Sequence, residues 1–397
     1  MSDPIVGKNI TLCVTGSIAC YKSIDIASKL IQARAQVDVV MTDNATKFLN
    51  PITFSGITHR PVVTSLFDPQ SELSMDHVAL AKRSDIIIVA PATANIIAEA
   101  ANGFTNNAVS ATLLATNAPI MFAPAMDAHM YDNNATQENV QTLKSRGITI
   151  VGPTSGRLAS GFSGKGRMLG ASEIIDYARI ILGQNGDLSS RKFVVTAGGT
   201  QEPIDPVRVI TNRSSGKMGF RIAEAARDRG AEVRLIAAPS SLKRPTGITF
   251  IPITTADEMG AATAKACTDA DVLIMAAAVS DWRPANKSEQ KLKKGSTETW
   301  TLDMSRNSDI VAGMKNDLIK VAFAAETENV IENAHSKLIS KGVDMVVAND
   351  VTVEPNVFGS DNNSVTILEK DGTVTELGTS SKYDIGHSIL DKIVPLI

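Results

Sequence analysis

The chain has 397 residues, a net charge of −3, and only about 4% aromatic residues among 43% hydrophobic ones. That length implies two or three domains, each with its own core, and an aliphatic composition suits parallel sheets covered by helices on both faces. The weak acidity excludes a general nucleic-acid-binding surface. Three cysteines, Cys13, Cys20 and Cys267, without a Cys-x-x-Cys pair, exclude a disulfide framework and a zinc knuckle. The N-terminus has no apolar signal region and no apolar run approaches ~18 residues, so a soluble cytoplasmic protein without membrane contacts is expected.

Residues 1–186 carry 14 basic and 14 acidic side chains, about 15% charged, against 25 and 28 in the remaining 211, about 25%. The break falls at the polar Gly/Ser stretch 183–190, and both sides restart with a β-branched run that ends in Thr before a glycine-bearing turn. Two α/β domains, 1–186 and 187–397, are therefore expected. In the first, strands are expected at 10–14, 37–41, 85–90, 119–123 and 148–151, with helical spacing at Ile26, Ala27, Leu30 and Ile31 and again over 134–145. In the second, strands are expected near 193–197, 232–237, 248–251, 271–276, 319–323 and 343–348, and helices near 217–229, 256–269, 307–316 and 329–341. Two alternating runs around Asp371-Gly372 signal a hairpin over 364–377. This alternation predicts mostly parallel, doubly wound sheets with ligands at the carboxyl ends of the strands.

Three post-strand loops of the first half are small and polar: Thr15-Gly16-Ser17, Pro91-Ala92-Thr93-Ala94-Asn95, and 123–130. They suit a phosphate at a helix N-terminus, and without G-x-G-x-x-G a mononucleotide is favoured over NAD. The motifs GSIACYK, DHVALAK around His77, APATANIIAEAANG, PAMDAHMY and GKGRML together resemble the flavin-dependent cysteine decarboxylase family. The second half's TAGGTQEPIDPVRVITNRSSGKMGF, AAAVSDWRP, FAAET and AND resemble its fusion partner in coenzyme A biosynthesis, a phosphopantothenate–cysteine ligase domain. Gly216-Lys217 is not a Walker motif, since Met218 follows and Thr211 stands where the first glycine belongs.

The resemblance implies a flavodoxin-like flavoprotein domain and a Rossmann-like ligase domain. It implies FMN, contacted by Ser17, Thr42, Phe48, Pro91, Ala92, Thr93, Ala94 and Ala125, with His77 catalytic. The cysteinyl side chain would be oxidised to a thioaldehyde β to the carboxylate, carbon dioxide lost, and the enethiol reduced as the flavin returns its electrons. Two positions depart from the family. Asp127 replaces an asparagine, so that it would need a raised pKa or another binding role, with His129 as a source of positive charge. Ser160 replaces a proton-donating cysteine, and Cys20 reads as a packed core residue and not its substitute.

For the ligase half the resemblance implies 4′-phosphopantothenate, L-cysteine and CTP as substrates, with Mg2+, and an acyl-cytidylate intermediate held by Asn212. Arg208, Ala277, Asp281, Ser308, Asp309, Ile310, Val311, Phe323, Lys337 and Lys341 would bind substrate or nucleotide, Lys291 would act on the phosphate or developing charge, and Asp281 would hold the metal. A homo-oligomer is implied, with trimeric contacts between flavin domains and dimeric contacts between ligase domains. Two other readings are open: an oxidative decarboxylase of peptide C-terminal cysteines, and a regulatory FMN binder without turnover.

Overall fold

The computed structural model describes residues 3–67, 76–293, 298–314, 317–326, 328–350 and 359–397. Thr327 of the FAAET motif and the last residues of the helix expected over 307–316 lie outside them. The chain forms two compact units, Pro4–Leu182 and Gly183–Ile397, the second also taking in Asp3.

The first unit alternates strand and helix throughout. It runs β1 (Asn9–Val14), α1 (Tyr21–Gln32), β2 (Gln36–Met41), α2 (Asp43–Thr46), α3 (Pro51–Thr58), β3 (Val62–Val63), α4 (Asp76–Arg83) and β4 (Ile86–Ala92). It continues with α5 (Ala94–Asn102), α6 (Ala108–Ala115), β5 (Ile120–Pro124), α7 (Ala128–Asp132), α8 (Asn134–Ser145) and β6 (Thr149–Ile150). A hairpin of β7 (Thr154–Arg157) and β8 (Ser163–Arg167) and the closing helix α9 (Ala171–Gly183) complete it. The parallel sheet has the order β3-β2-β1-β4-β5-β6. Without the two-residue β3 this is the five-stranded flavodoxin order, and the chain reverses direction across the sheet between β1 and β4. All seven residues of β4 are buried, because each face of the sheet is covered. Ile86, Ile88 and Ala90 pack with Ile26, Leu30 and Phe54 on one face, while Ile87 and Val89 pack with Leu80, Ile96 and Val109 on the other.

The second unit contains β9 (Lys192–Ala197), β10 (Gln201–Pro203), β11 (Val209–Thr211), α10 (Lys217–Asp228), β12 (Glu232–Ala237), β13 (Thr249–Pro252), α11 (Ala256–Ala266) and β14 (Val272–Met275). After these come β15 (Trp282–Pro284), β16 (Met304–Arg306), β17 (Ile319–Glu326), α12 (Val330–Lys341), β18 (Met345–Asp350), β19 (Asn362–Glu369), β20 (Val374–Ser381) and α13 (Lys382–Ile393). Its sheet runs β13-β12-β9-β14-β17-β18-β19-β20, parallel through β18 and antiparallel for the last two. The switch point lies between β9 and β14. Helices α10 and α13 cover one face through Phe220, Ile222, Ile385 and Ile389, and α11 and α12 cover the other through Met259, Ala334 and Leu338.

The Asp371-Gly372 hairpin forms as the alternation predicts, with Gly372 at φ +88°. The helix expected over 307–316 does not form. Strand β16 ends at Arg306 and a 3-10 turn, Val311–Gly313, follows, because the Asn307 amide is drawn to Ser280 O in the loop after β14 and Asp309 bonds the backbone N–H groups of Val311 and Ala312. The long loop after β9 is not featureless either: it folds into the β10–β11 hairpin. Among the described residues no helix is long and apolar enough to cross a membrane.

Candidate active sites

In the first unit the three small loops meet along the carboxyl edge of the sheet. A Cβ on Gly16 would lie 2.5 Å from the Asn44 Cβ, so only glycine lets the loop after β1 close on the start of α2. Ser17 caps the turn at Ile18–Cys20 by accepting from the Ala19 N–H at 3.3 Å, and Thr42 caps α2 by accepting from Ala45 N–H at 3.3 Å. Thr15 Oγ1 donates to Pro91 O at 2.7 Å and accepts from the Thr93 N–H at 3.2 Å, while Thr93 caps α5. The Ala125 N–H donates to Ala92 O at 3.0 Å, joining the post-β5 loop to the post-β4 loop. Ala92 and Ala125 are buried and Phe48 is half exposed. Hydroxyls at Ser17, Thr42 and Thr93 beside the small side chains of Ala92, Ala94 and Ala125 form a donor set that fits the phosphate, sugar alcohol and planar ring of a flavin mononucleotide.

The β7–β8 hairpin lies on the post-β5 loop. The Met126 N–H donates to Gly166 O at 3.1 Å, and Cβ atoms on Gly164 or Gly166 would collide with Ala128 or Met126. This docking brings Ser160, at the hairpin tip, to Asp127: the Ser160 hydroxyl donates to Asp127 Oδ2 at 2.8 Å, and Asp127 Oδ1 accepts from the His129 N–H at 3.0 Å. Without substrate, the Asp127 carboxyl is lowered and not raised, which leaves the other alternative, a different binding role. The Ser160 hydroxyl first, and then the His129 N–H, hold its carboxyl below the ordinary range, because both bonds favour the ionised form. His129 acts there chiefly through its backbone N–H and more weakly through its charge, and its side chain is exposed. Cys20 is a core residue, 1% exposed, with its thiol donating to Thr15 O at 3.0 Å. His77 is the second residue of α4, an end that the right-handed strand–helix crossover places on the same carboxyl edge of the sheet.

The second unit holds a cavity of about 700 Å³ at the carboxyl ends of β14, β17 and β18. Of the residues expected to bind nucleotide or substrate, Asn212, Ala277, Asp281, Ser308, Asp309, Ile310, Val311, Phe323, Lys337 and Lys341 all line it. Gly199 explains how Asn212 reaches the edge, since a Cβ there would come within 2.7 Å of Asn212 O. The Asn212 amide then donates to Val279 O at 3.2 Å. Lys337 Nζ donates to Phe323 O at 2.6 Å, and Lys341 pairs with Asp309 at 3.1 Å. Burial pushes the Asp309 carboxyl up, but the bond and charge of Lys341 and two backbone N–H groups outweigh it and hold it low. Asp309 therefore positions Lys341 and caps the 3-10 turn.

Arg208 and Lys291 do not line the cavity. Arg208 donates to Leu292 O at 3.0 Å and lies near buried Asp205, which itself accepts from the Leu292 N–H, so the pair ties the segment at Lys291 to the β10–β11 hairpin. Lys291 is exposed. Asp281 is exposed as well, and no group of three His, Cys, Asp or Glu side chains suited to a metal exists among the described residues. A single carboxylate fits Mg2+ only as one ligand beside nucleotide phosphates.

Sequence reasoning missed part of the wall. Lys217, Arg306, Asn307, Asn349, Asn363 and Lys382 also line the cavity, so five cations face it against the two carboxylates of Asp281 and Asp309. Ser280 Oγ and the Oδ1 atoms of Asn307, Asn349 and Asn363 are buried there without a hydrogen-bond partner among the described residues. Buried polar atoms are ordinarily paired, so this wall is built for a ligand that supplies the partners.

A family model described as Flavoprotein matches residues 1–182, and one described as DNA/pantothenate metabolism flavoprotein C-terminal domain matches residues 188–396. The chain is 43% identical over 394 residues to the coenzyme A biosynthesis bifunctional protein CoaBC of Vibrio cholerae, covering 98% of each. It is 42% identical over 395 residues to the CoaBC of Bacillus subtilis, covering 98% of this chain and 97% of that one. A crystal structure of the C-terminal domain of a CoaBC protein aligns at 37% identity over 53% of this chain and 97% of that chain, with a TM-score of 0.46. With both family models in sequence and relatives matched end to end, the chain belongs to the family of coenzyme A biosynthesis bifunctional proteins, a flavoprotein half followed by the DNA/pantothenate metabolism half.

Proposed function

We propose that the chain makes 4′-phosphopantetheine from 4′-phosphopantothenate, L-cysteine and CTP, the second unit ligating and the first decarboxylating. The observation that carries the ligase reading is the cavity: five cations against two carboxylates, with four unpartnered polar atoms, suits a nucleoside triphosphate beside a polar acid. The carboxylate of the acid would attack the α-phosphorus and release pyrophosphate, and the cysteine amine would then displace CMP from the acyl carbon. Lys337, Lys341 and the turn 308–311 would hold the triphosphate, Asn212 the acyl-cytidylate, and Asp281 a Mg2+ shared with the phosphates. Lys291, exposed beside the Asp205–Arg208 tie, would reach the phosphates from outside the wall.

In the first unit Ser17, Thr42, Phe48, the 91–94 loop and Ala125 would hold FMN, which when bound supplies a two-electron oxidant that is restored in the same turnover. His77 would move a proton at the reacting cysteinyl group. Asp127, ionised, would accept from donors of the substrate and so orient it without a carboxylate–carboxylate contact, and the Ser160 hydroxyl, bonded to Asp127, would donate at the same spot. Ile18, Tyr21, Phe48 and Ile52 are each more than half exposed beside the Ser17 and Thr42 loops, which favours a self-association of flavin units with the site at its edge.

Incubation of the full chain with phosphopantothenate, cysteine, CTP and magnesium, read by mass spectrometry, should yield 4′-phosphopantetheine. Arrest at the cysteine adduct would remove the decarboxylase assignment, and equal turnover with ATP would remove the preference for CTP. A flavin absorption spectrum of the purified protein and its sedimentation coefficient test the cofactor and the assembly.

A further inference from the structure

The β10–β11 hairpin is firmly mounted at the edge of the ligase cavity. Gln201 pairs with Thr211, Glu202 with Ile210 and Pro203 with Val209, and the turn 204–208 closes the hairpin. At its open end the Gln201 N–H donates to Thr254 O at 2.8 Å and Asn212 reaches Val279 O. Along its side Glu202, 2% exposed, accepts from the Ala256 N–H at 2.9 Å and fixes the hairpin to the start of α11.

Lys291 is mounted through this hairpin. It lies on the connection between β15 and β16, which leaves the cavity wall at Asp281 and returns to it at Arg306. The Ala285 N–H donates to Asp303 O at 2.9 Å and closes the neck of that connection. Beyond the neck the hairpin turn takes hold on both sides of Lys291. The Ser288 N–H donates to Ile204 O at 2.9 Å, the Leu292 N–H donates to Asp205 Oδ2 at 3.1 Å, and Leu292 O accepts from Arg208 Nη2 at 3.0 Å. Fixing the backbone beside a long, exposed lysine removes much of the freedom that side chain would otherwise have to lose on meeting its target.

Asp205 uses its two oxygens differently. Oδ1 accepts from the Val207 and Arg208 N–H groups at 2.8 Å each, which makes the turn. Oδ2 accepts from Leu292 and lies 3.7 Å from the Arg208 guanidinium. Burial pushes the carboxyl up, but the N–H groups of Val207, Arg208 and Leu292, and then the charge of Arg208, outweigh it and hold it low. The turn by itself does not need a carboxylate, since one asparagine oxygen would make the same two bonds. The second oxygen, aimed at Leu292, does need it, because an asparagine amide there would set a donor against a donor.

We infer that Asp205 is a positioning residue for ligation that acts through Lys291, an inference that rests on the ligase reading of the cavity. Asp205 holds the Leu292 N–H, Arg208 holds the Leu292 carbonyl, and the two together fix the backbone from which Lys291 reaches the phosphates. One mounted hairpin thus carries Asn212 at its open end and sets Lys291 from its turn.

Single-turnover release of pyrophosphate from CTP and phosphopantothenate by the full chain tests this. Asp205→Asn keeps the turn and loses one charge-assisted hydrogen bond to the Lys291 segment. It should slow release on the order of 10- to 100-fold, and by no more than Lys291→Ala does. Added to Lys291→Ala, it should cost nothing further, whereas a merely structural role would multiply the two losses. Decarboxylation of supplied phosphopantothenoylcysteine by the same variants should be unchanged. Leu292→Pro deletes the same bond from the other side, so it should reproduce the loss and likewise add nothing to Lys291→Ala; it keeps the test open if Asp205→Asn does not fold. Multiplied losses in the double variants, a full rate with both Asp205→Asn and Leu292→Pro, or a Lys291→Ala variant without loss would each overturn the inference. Absence of ligation by the unaltered protein would instead refute the ligase reading, and the inference with it.

Discussion

The two units prepare their sites in opposite ways. In the flavoprotein half the loops bind each other: Thr15 to Pro91 and Thr93, Ala125 to Ala92, Ser160 to Asp127. In the ligase half the wall is left incomplete, and every buried side-chain polar atom without a partner among the described residues belongs to this unit. A site of small, mutually bonded loops offers shape and backbone to a cofactor that stays. A wall of lysines and of amide oxygens without partners among the described residues offers charge and acceptors to substrates that must enter and leave. The sharpest test of this separation is His77→Gln, which should slow decarboxylation by about 10²- to 10⁴-fold, the range for loss of a general acid or base. Ligation, followed as CMP release, should be unaffected. A matching loss in ligation would show that the two chemistries are not separate.

The ligase half should respond in binding and not in the chemical step. Lys341→Met removes a charge-assisted contact to the nucleotide and leaves Asp309 without its partner, so KM for CTP should rise on the order of 10- to 100-fold. Asp309→Asn should give a smaller rise, because Lys341 keeps its charge but loses its anchor. If Asp309→Asn were the more damaging, Asp309 would touch the nucleotide itself.

The elements legible in the sequence were those whose signal is local. Strands such as β4 and β9 announce themselves by β-branched runs, and the β19–β20 hairpin by Asp371-Gly372. The flavin loops were legible because small residues follow strands. The far wall of the ligase cavity was not, since Lys217 meets the 359–361 segment across more than 140 residues and only the sheet order joins them. Its faint signals were single polar residues ending apolar strands, Asn349 after Met345–Ala348 and Asn363 before Val365. Helix α13 was also overlooked, although Ser381 caps it and Ile385, Ile389 and Ile393 repeat at helical spacing. The false helix over 307–316 has a different cause, a helical pattern cut short by the local bonds of Asp309 and by the long-range bond of Asn307 to Ser280 O.

Helix α13 also carries a stability difference between the units. It is pinned by Arg229, 2% exposed, which donates to Asp187, Asp391 and His387 O. His387 is buried against Tyr383 with both ring nitrogens unpartnered among the described residues. Burial first, and then Arg229, lower its pKa to about 4, against the raising influence of Asp3 and Asp384. The folded state therefore keeps His387 neutral while the unfolded chain takes up a proton near pH ~6.5. Stability is complete above that value and is lost as pH falls towards 4, by at most on the order of 3 kcal/mol. Thermal melts of the ligase transition should show this slope, and His387→Phe should flatten it. A slope that survives the substitution would place the titrating group elsewhere.

The smallest expected effect lies at the hairpin tip of the flavoprotein half, where the comparison is most delicate. Ser160 and Asp127 are a bonded pair at the surface, so neither is buried and the change in stability on breaking the pair should be slight. The effect should appear in the pH profile. Ser160→Ala removes the hydroxyl that most lowers the Asp127 pKa, leaving the His129 N–H and the weaker influence of the His129 charge, and the carboxyl should return towards its ordinary value. If ionised Asp127 orients the substrate, the acid limb of the decarboxylation profile should move to higher pH, and Asp127→Asn should remove that limb. If Ser160 instead donates the proton to the enethiol, Ser160→Ala should lower the rate at every pH and leave the limb in place. Ser160→Cys should then raise it, since a thiol is the stronger acid. The two outcomes differ in shape and not only in size, so one titration series decides whether this pair positions or reacts.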